Sequence, residues 1–229
     1  YMLRYLNPHT HVWDGVNADY TPESDNLPWS MKPERKVTIE DVKYVLSSYY
    51  QGTPFNPYAR HGETDKRGMY RPIGINRNNF MAITQLRPYV PAELMGVEWI
   101  SVGSNAFNEA IPMYANVTAT PEYLANAGKN ATTENFYWAN RIIGALADAH
   151  YATCIAHIER YQKNLAAKGH AMLAAFDAGY QAGGDAHAYL EACNKHIADE
   201  ARRQTDDLLG KVLHTASCEM KNAFSRADA

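Results

Sequence analysis

Three arginines bracket the most strand-like part of this sequence. Arg71 and Arg77 lie near the two ends of the stretch 70–77, and Arg87 ends the apolar stretch 80–87. A guanidinium close to a sheet core needs a carboxylate or another acceptor, because an isolated buried charge is costly. The residues alone leave two interpretations open. In the first, Arg71 and Arg87 lie at strand ends and reach water; in the second, Arg77 points into a cleft and positions a carboxylate or a catalytic residue.

Histidine and cysteine supply the other side chains with metal-binding chemistry. His150, Cys154 and His157 share one face of a predicted helix at i, i+4 and i+7, a spacing that can hold zinc. Nothing nearby in the sequence supplies a good fourth ligand, so we favour a buried polar stripe and expect neither a metal nor a cofactor. Two shorter pairs are interpreted in the same way: Cys193 with His196, and His9 with His11.

A self-contained hydrolase would need a nucleophile, and the sequence supplies no convincing one. The Gly-x-Ser-x-Gly elbow of serine hydrolases is absent, and so is a glycine loop that would cradle phosphates. The three cysteines, Cys154, Cys193 and Cys218, fall within predicted helical stripes, where an inert buried thiol is the expected state. The chain is therefore predicted to be part of an enzyme rather than a whole one.

The predicted elements change type near residue 120. Residues 1–120 predict a loop-rich region of antiparallel strands with one helix, and residues 121–229 predict a long-helix region packed on it as part of one structural unit. Strands are predicted at 1–6, 70–77, 80–87, 97–103 and about 110–114. Apolar residues alternate on both sides of the strands that begin at 80 and 97, which predicts a sheet covered on both faces.

The helices are predicted from their caps and apolar spacing. Thr38 and Asp41 form a capping box that opens a helix reaching about residue 50, and Thr120 with Pro121 marks a second helix start. A long helix is predicted from 133 to 167, and after Gly169 the helical pattern resumes to about 181. Asp185 caps the last helix. The resulting fold class is α+β, with antiparallel strands followed by long helices.

Composition excludes several classes of protein. The formal net charge is −3, which provides no electrostatic basis for binding nucleic acid. No apolar run approaches membrane-spanning length, so we predict no membrane partner. The three cysteines are far apart and lack CxxC spacing, which is typical of a reducing compartment. We therefore expect a cytoplasmic protein.

Several blocks of this sequence resemble bacterial dipeptidase A, a family of cysteine-type dipeptidases in the N-terminal-nucleophile hydrolase superfamily. The resemblance is to the C-terminal half of that family and extends to about residue 165. The blocks are RPIGINR at 71–77, AITQLR at 82–87, EWISVG at 98–103, YTPESDNLPW at 20–29, YYQGTP at 49–54 and NFYWANR at 135–141.

The resemblance implies a fold and a mechanism. The family fold is a four-layer αββα sandwich, of which this chain would form the C-terminal part. The family nucleophile is a cysteine that becomes the first residue after processing; its thiolate attacks the peptide carbonyl while its own α-amino group serves as the base. An acyl-enzyme then forms and is released by water. The implied substrates are small peptides of broad side-chain character.

This sequence departs from the family pattern at the nucleophile. Its first residue is Tyr1, and none of its cysteines precedes the strands. The resemblance therefore implies that the nucleophile is not in this chain, that the missing N-terminal half is its partner, and that the chain alone is inactive. In related acylases an arginine opening the corresponding strand lies near the nucleophile. Arg77 is the best match for this supporting role, with Arg71 in reserve.

A second hypothesis belongs to a different class of function. Residues 133–226 predict a long helical pair with apolar stripes, which would suit a non-catalytic interaction or scaffold module. A homo-oligomer formed through those faces is compatible with either hypothesis.

Overall fold

The computed structural model describes residues 1–62, 65–125 and 127–221. The predicted continuation of the last helix to 226, and the end of the predicted region 121–229, lie outside the described residues. In chain order the elements are α1 (Met2–Leu6), α2 (Ile39–Leu46), β1 (Phe80–Leu86), a 3₁₀ turn (Ala92–Leu94), β2 (Gly96–Val102), β3 (Ile111–Tyr114), α3 (Phe136–Ala149), α4 (Tyr151–Gly179) and α5 (Ala186–Cys218). Strands followed by long helices confirm the α+β class.

The three strands form an antiparallel meander in the order β1-β2-β3. Phe80 pairs with Val102 at one end of the sheet, and Leu86 pairs with Gly96 at the other. β3 joins the far side of β2 through the pair Ile100 and Ile111. The predicted strand pairing is confirmed, and β1 is an edge strand among the described residues.

The two faces of the sheet differ sharply at β1. On one face Met81 is buried, and the neighbouring β2 residues Val97 and Trp99 are almost fully buried. On the opposite face Phe80 is 60% exposed and Leu86 is 70% exposed. The expectation that this strand is covered on both faces is therefore wrong, because the described helices cover β1 from one side only.

The long helices divide at places that helical spacing does not reveal. The helix predicted over 133–167 is interrupted at His150, which ends α3 and begins α4. The break predicted at Gly169 does not occur. A Cβ atom at Gly169 would lie 2.9 Å from Cδ of Pro112, so glycine at this position allows α4 to pack closely on β3. The apolar stripes of α3, α4 and α5 are buried against one another and the sheet, and they include Phe136, Ile143, Ile158, Leu165, Ile197 and Leu208.

Three predicted elements are absent. Residues 1–6 form the short helix α1 instead of a strand, and the Asn7 amide caps it by donating to Leu3 O at 3.0 Å. Residues 70–77 are a series of turns. The helix predicted at Thr120 forms only one turn, since the carbonyl of Tyr123 accepts from Phe136 N instead of continuing the helix.

No described helix combines the length and the apolar character that crossing a bilayer requires.

Arg87 is buried at the end of β1, so the interpretation that it reaches water is wrong. Its Nη1 donates to Asp177 Oδ2 at 2.6 Å and its Nη2 donates to Leu94 O at 2.5 Å. Tyr114 completes the network by donating its hydroxyl to Asp177 Oδ1 at 2.8 Å. Arg87 directly follows β1, and its partners belong to β3, α4 and the 3₁₀ turn, so this network ties the sheet to the helical layer.

The start of α2 confirms the predicted capping box. Asp41 N donates to Thr38 Oγ1 at 3.2 Å, and Thr38 N donates to Asp41 Oδ2 at 2.9 Å. Arg35 donates to both oxygens of the same carboxylate, at 2.5 and 2.6 Å. The hydrogen bonds from Arg35, followed by those from the Thr38 backbone and Tyr5, hold the pKa of Asp41 well below its ordinary value.

Replacing Arg87 with Met should lower the free energy of unfolding by about 3 kcal/mol, because Asp177 would keep a largely buried charge without its partner. Urea unfolding followed by tryptophan fluorescence measures this loss. Arg203→Met is the matched control, since Arg203 pairs with Glu200 on the surface of α5 and should change stability little. Equal effects of the two variants would contradict a central role for the Arg87 pair.

The lowered pKa of Asp41 predicts an acid-dependent loss of stability. The carboxylate contributes its full stabilisation above the unfolded aspartate pKa of about 3.9 and loses it as the pH falls through the lower folded value. Asp41→Asn should therefore be less stable than the parent at pH 7, and the difference should shrink as the pH falls below about 4. Urea unfolding at pH 7 and pH 3 checks this. A difference that stays constant between the two would refute it.

Candidate functional site

Residues 71–79, which we call the arginine segment, lead into β1 and carry both Arg71 and Arg77. The segment lies at the end of the sheet where β1 begins and β2 ends. It contains no regular secondary structure. Its position is set by hydrogen bonds from three other parts of the chain.

The residues that follow α2 hold the first half of the arginine segment. Gly74 N donates to Ser48 O at 2.8 Å, and the hydroxyl of Tyr50 donates to the carbonyl of Arg71 at 3.0 Å. A Cβ atom at Gly74 would lie 2.3 Å from Ser47 O. Only glycine permits this close approach of the two backbones.

The second half of the segment is held by α3 and by the end of β2. Arg141 Nη1 donates to Asn76 O at 2.6 Å, and Gly103 N donates to Asn79 O at 3.0 Å. Within the segment, Asn78 Nδ2 donates to Ile73 O at 2.8 Å. The backbone beside each arginine is therefore fixed by a side chain from another element.

The backbone of the segment is held by other parts of the chain, whereas its guanidinium groups are not bound by any described residue. Arg71 and Arg77 are both exposed, and neither makes a side-chain hydrogen bond or ion pair within residues 1–62, 65–125 and 127–221. A guanidinium presents a planar set of donors that matches a carboxylate or an oxyanion. The segment thus has the chemistry of an anion-recognition element, and the catalytic role of Arg77 stays a prediction.

Residues 103–110 form a buried loop beside the arginine segment. All eight are buried, although they connect two strands and loops ordinarily lie on the surface. Lys43 Nζ donates to Asn108 O at 2.7 Å, and Gln162 Nε2 donates to Asn108 O at 3.0 Å and to Ala106 O at 3.2 Å. These two side chains satisfy carbonyls that would otherwise be buried without partners.

One buried ion pair completes the support of this loop. Lys43 Nζ lies 3.2 Å from Glu109 Oε2. Burial raises the pKa of Glu109, and the nearby charge of Lys43 opposes that rise. We did not identify this loop from the sequence. The available signal was a run of Ser, Asn and Glu directly after an apolar strand. Surface turns show the same pattern, so it does not identify a buried loop.

Two asparagines near this end of the sheet keep unused acceptors. Oδ1 of Asn105 and Oδ1 of Asn140 are buried without a hydrogen-bond partner among the described residues. Asn140 packs on Gly103, since a Cβ at that glycine would lie 3.2 Å from the Asn140 Cβ. The buried loop and α3 thus meet beside the segment that carries Arg77.

The histidine and cysteine sets do not form comparable sites. Among the described residues, no group of three or more His, Cys, Asp and Glu side chains could hold a metal ion. His150 pairs with Glu219, and Cys154 is fully buried. The zinc alternative built on His150, Cys154 and His157 is therefore not supported.

The cysteines also lack the setting of a nucleophile. Burial raises the pKa of the thiols of Cys154 and Cys193, which disfavours the reactive thiolate. Cys218 is exposed near the end of α5, with its Sγ 3.7 Å from Nε2 of His214 one turn earlier. This is the ordinary spacing of neighbours on a helix surface.

Comparisons with known proteins point to one family of peptidases. A model of peptidase family C69 matches residues 1–164. The chain is 42% identical to a dipeptidase of Bifidobacterium longum (strain NCC 2705), with 100% of this chain and 50% of that protein covered. It is 43% identical to the probable dipeptidase A of Streptococcus pyogenes serotype M18, with 99% of this chain and 46% of that protein covered.

A third relative is more distant but covers similar ground. Dipeptidase A of Lactobacillus helveticus is 32% identical, with 91% of this chain and 45% of that protein covered. The chain therefore spans about half the length of the curated relatives it matches. Because the family model covers more than half of this chain, the chain belongs to peptidase family C69.

Proposed function

We propose that this chain is the C-terminal portion of a dipeptidase that hydrolyses small peptides through an N-terminal cysteine lying outside the chain. The observation that carries the proposal is the match of the whole chain to about half of the Bifidobacterium longum dipeptidase. The enzyme is proposed to act in the cytoplasm on dipeptides of varied side chains.

The proposed reaction is nucleophilic acyl transfer. The external cysteine attacks the peptide carbonyl with its α-amino group as base, the amine product leaves, and water hydrolyses the acyl-enzyme. Two of the three cysteines in this chain are buried with raised thiol pKa values. That state supports a nucleophile supplied from elsewhere.

Arg77 is proposed as the residue of this chain that supports catalysis, with Arg71 in reserve. The support for this role is the contrast between a backbone held by four other residues and guanidinium groups without partners among the described residues. A charged donor placed in advance stabilises a carboxylate or a developing oxyanion without reorganising in the reaction.

The missing N-terminal half is proposed to cover the open face and outer edge of β1. Phe80 and Leu86 expose large apolar surfaces there, and an unpaired strand edge can accept another strand through its backbone. An αββα sandwich places a second sheet against such a face. The exposed apolar face of β1 therefore fits a sheet from that half.

The scaffold alternative gains no comparable support. Its basis was a set of apolar helical stripes that would be left open for a partner. In the described parts of α3, α4 and α5 those stripes are mostly buried within the chain itself. The large apolar side chains that are exposed on regular elements include Phe80 and Leu86 of β1.

The purified chain should not hydrolyse dipeptides, whereas co-expression with the half of the Bifidobacterium longum dipeptidase that this chain does not match should yield an active complex. The reason is that the nucleophile enters with the added half. Amino-acid release from a panel of dipeptides measures activity. Turnover by the chain alone would contradict the proposal, as would an inactive complex once the two parts co-purify.

Paired surface variants control this experiment. Phe80→Lys with Leu86→Lys places charges on the proposed contact face and should prevent co-purification and activity. Leu213→Lys changes an exposed apolar residue of α5 that is 54% exposed and should leave both unchanged. Normal assembly of the β1 variant would exclude this face as the contact.

Arg77→Met should lower kcat/KM of the active complex by about 100-fold, the typical effect of losing one donor to the reacting centre. Arg77→Lys should recover part of the loss, because it restores charge without the planar donor pair. Arg67→Met is a control for an exposed arginine outside the segment, and it should change kcat/KM little. A full rate with Arg77→Met, together with a large loss in Arg71→Met, would transfer the role to the reserve residue.

A further inference from the structure

Tyr50 has an unusual backbone conformation. With a φ of 61°, it is the one residue other than glycine at positive φ within the described ranges. The left-handed region is disfavoured for residues with a Cβ and recurs at functional positions. Three hydrogen bonds hold Tyr50 there: its N donates to Ser48 Oγ at 3.1 Å, and its carbonyl accepts from Thr53 N at 3.1 Å and Thr53 Oγ1 at 2.7 Å.

This conformation separates two adjacent tyrosines. Tyr49 is buried and its hydroxyl lies 2.8 Å from that of Tyr151 in α4. Tyr50 reaches the arginine segment, where its hydroxyl donates to Arg71 O at 3.0 Å. Stability alone would favour glycine or asparagine at this φ, and neither could place a hydroxyl at that carbonyl. Burial also raises the pKa of the Tyr50 phenol.

Arg141 makes the equivalent contact at the other end of the segment. Its Nη1 donates to the carbonyl of Asn76 at 2.6 Å, and Asn76 directly precedes Arg77. Tyr50 thus donates to the carbonyl of Arg71 itself, and Arg141 donates to the carbonyl of the residue before Arg77. They arrive from different elements, the loop after α2 and the helix α3.

We propose that Tyr50 and Arg141 are positioning residues, which hold the arginine segment so that its guanidinium groups meet the reacting centre in a fixed place. This inference rests on the proposed function of the segment. The two residues act on the backbone and do not touch the substrate themselves. Small displacements of a catalytic group have large effects on rate, so loss of either contact should reach the reaction through Arg77.

The kinetic test uses the active two-part complex. Tyr50→Phe, which keeps the ring and removes only the hydroxyl, should lower kcat/KM about tenfold. Arg141→Met should do the same, and Arg141→Lys should restore part of the rate by keeping a donor. Tyr189→Phe is the matched control, because its hydroxyl also donates to a backbone carbonyl, that of Phe176 at 2.7 Å. It should leave kcat/KM unchanged while shifting Tm as much as Tyr50→Phe does.

A double-mutant cycle separates positioning from general stability. If Tyr50 acts through the arginine segment, Tyr50→Phe should have almost no effect on kcat/KM once Arg77 is already Met. Additive losses would overturn the inference, as would an unchanged rate in the single variant Tyr50→Phe. An Arg77→Met variant with full activity would instead show that the proposed role of Arg77 is wrong.

Hydrogen exchange tests the positioning without any activity. Gly74 N and Asn78 N are both hydrogen-bonded in the arginine segment. In the purified chain, Tyr50→Phe should speed exchange of these two amides, and Tyr189→Phe should not. Unchanged exchange at both amides would overturn the inference whether or not the complex hydrolyses dipeptides.

Discussion

Hydrogen bonds to the backbone of residues 71–79 are the interaction on which the candidate site depends. Four of them join the segment to residues anchored elsewhere, namely Ser48, Tyr50, Gly103 and Arg141, so the segment needs no secondary structure of its own to be fixed. Its two arginines have no hydrogen bond or ion pair among the described residues, and their donors remain available. An arginine used for stability shows the opposite arrangement. Arg87 has its charge paired with Asp177 and its side chain buried.

The two ends of the sheet consequently differ in chemistry. At the Arg87 end, Arg87 and Asp177 form an ion pair that joins the sheet to α4. At the Arg77 end, Lys43 and Gln162 donate to backbone carbonyls, whereas Asn105 and Asn140 each have a buried acceptor with no partner in the described part of the chain. A buried loop is tolerated there only because side chains from α2 and α4 replace water as donors. That end of the sheet is therefore organised by contacts within the chain itself.

The uneven coverage of the sheet agrees with the length of the relatives. Helices of this chain cover one face of β1 and leave Phe80 and Leu86 open on the other. The curated relatives are about twice as long as this chain. A sheet face that the described helices leave open lies beside a segment whose arginines have no partner among the described residues. This arrangement supports the proposal that a second part of the enzyme adds the reacting group.

The sequence by itself determined the family, the α+β class, the pairing of the strands after residue 80 and the capping box of α2. These features depend on local patterns: alternation along a strand, a cap three residues from its partner, and short blocks of residues that resemble the family. Local patterns failed where contacts from distant residues decide the outcome. Residues 70–77 resembled a strand by composition, yet Ser48, Tyr50 and Arg141 take up backbone groups that a neighbouring strand would otherwise pair.

Only the tertiary structure distinguished the three arginines. In the sequence, all three arginines lie beside apolar stretches. That pattern does not predict which of them is buried or which has a partner. Asp177 lies 90 residues beyond Arg87, a separation at which no spacing rule connects two charges. The left-handed conformation of Tyr50 was likewise invisible, because the bonds that hold it are seen only once the turn has formed. Burial and partnership are properties of the folded chain, and they decide which of three identical side chains is free to bind.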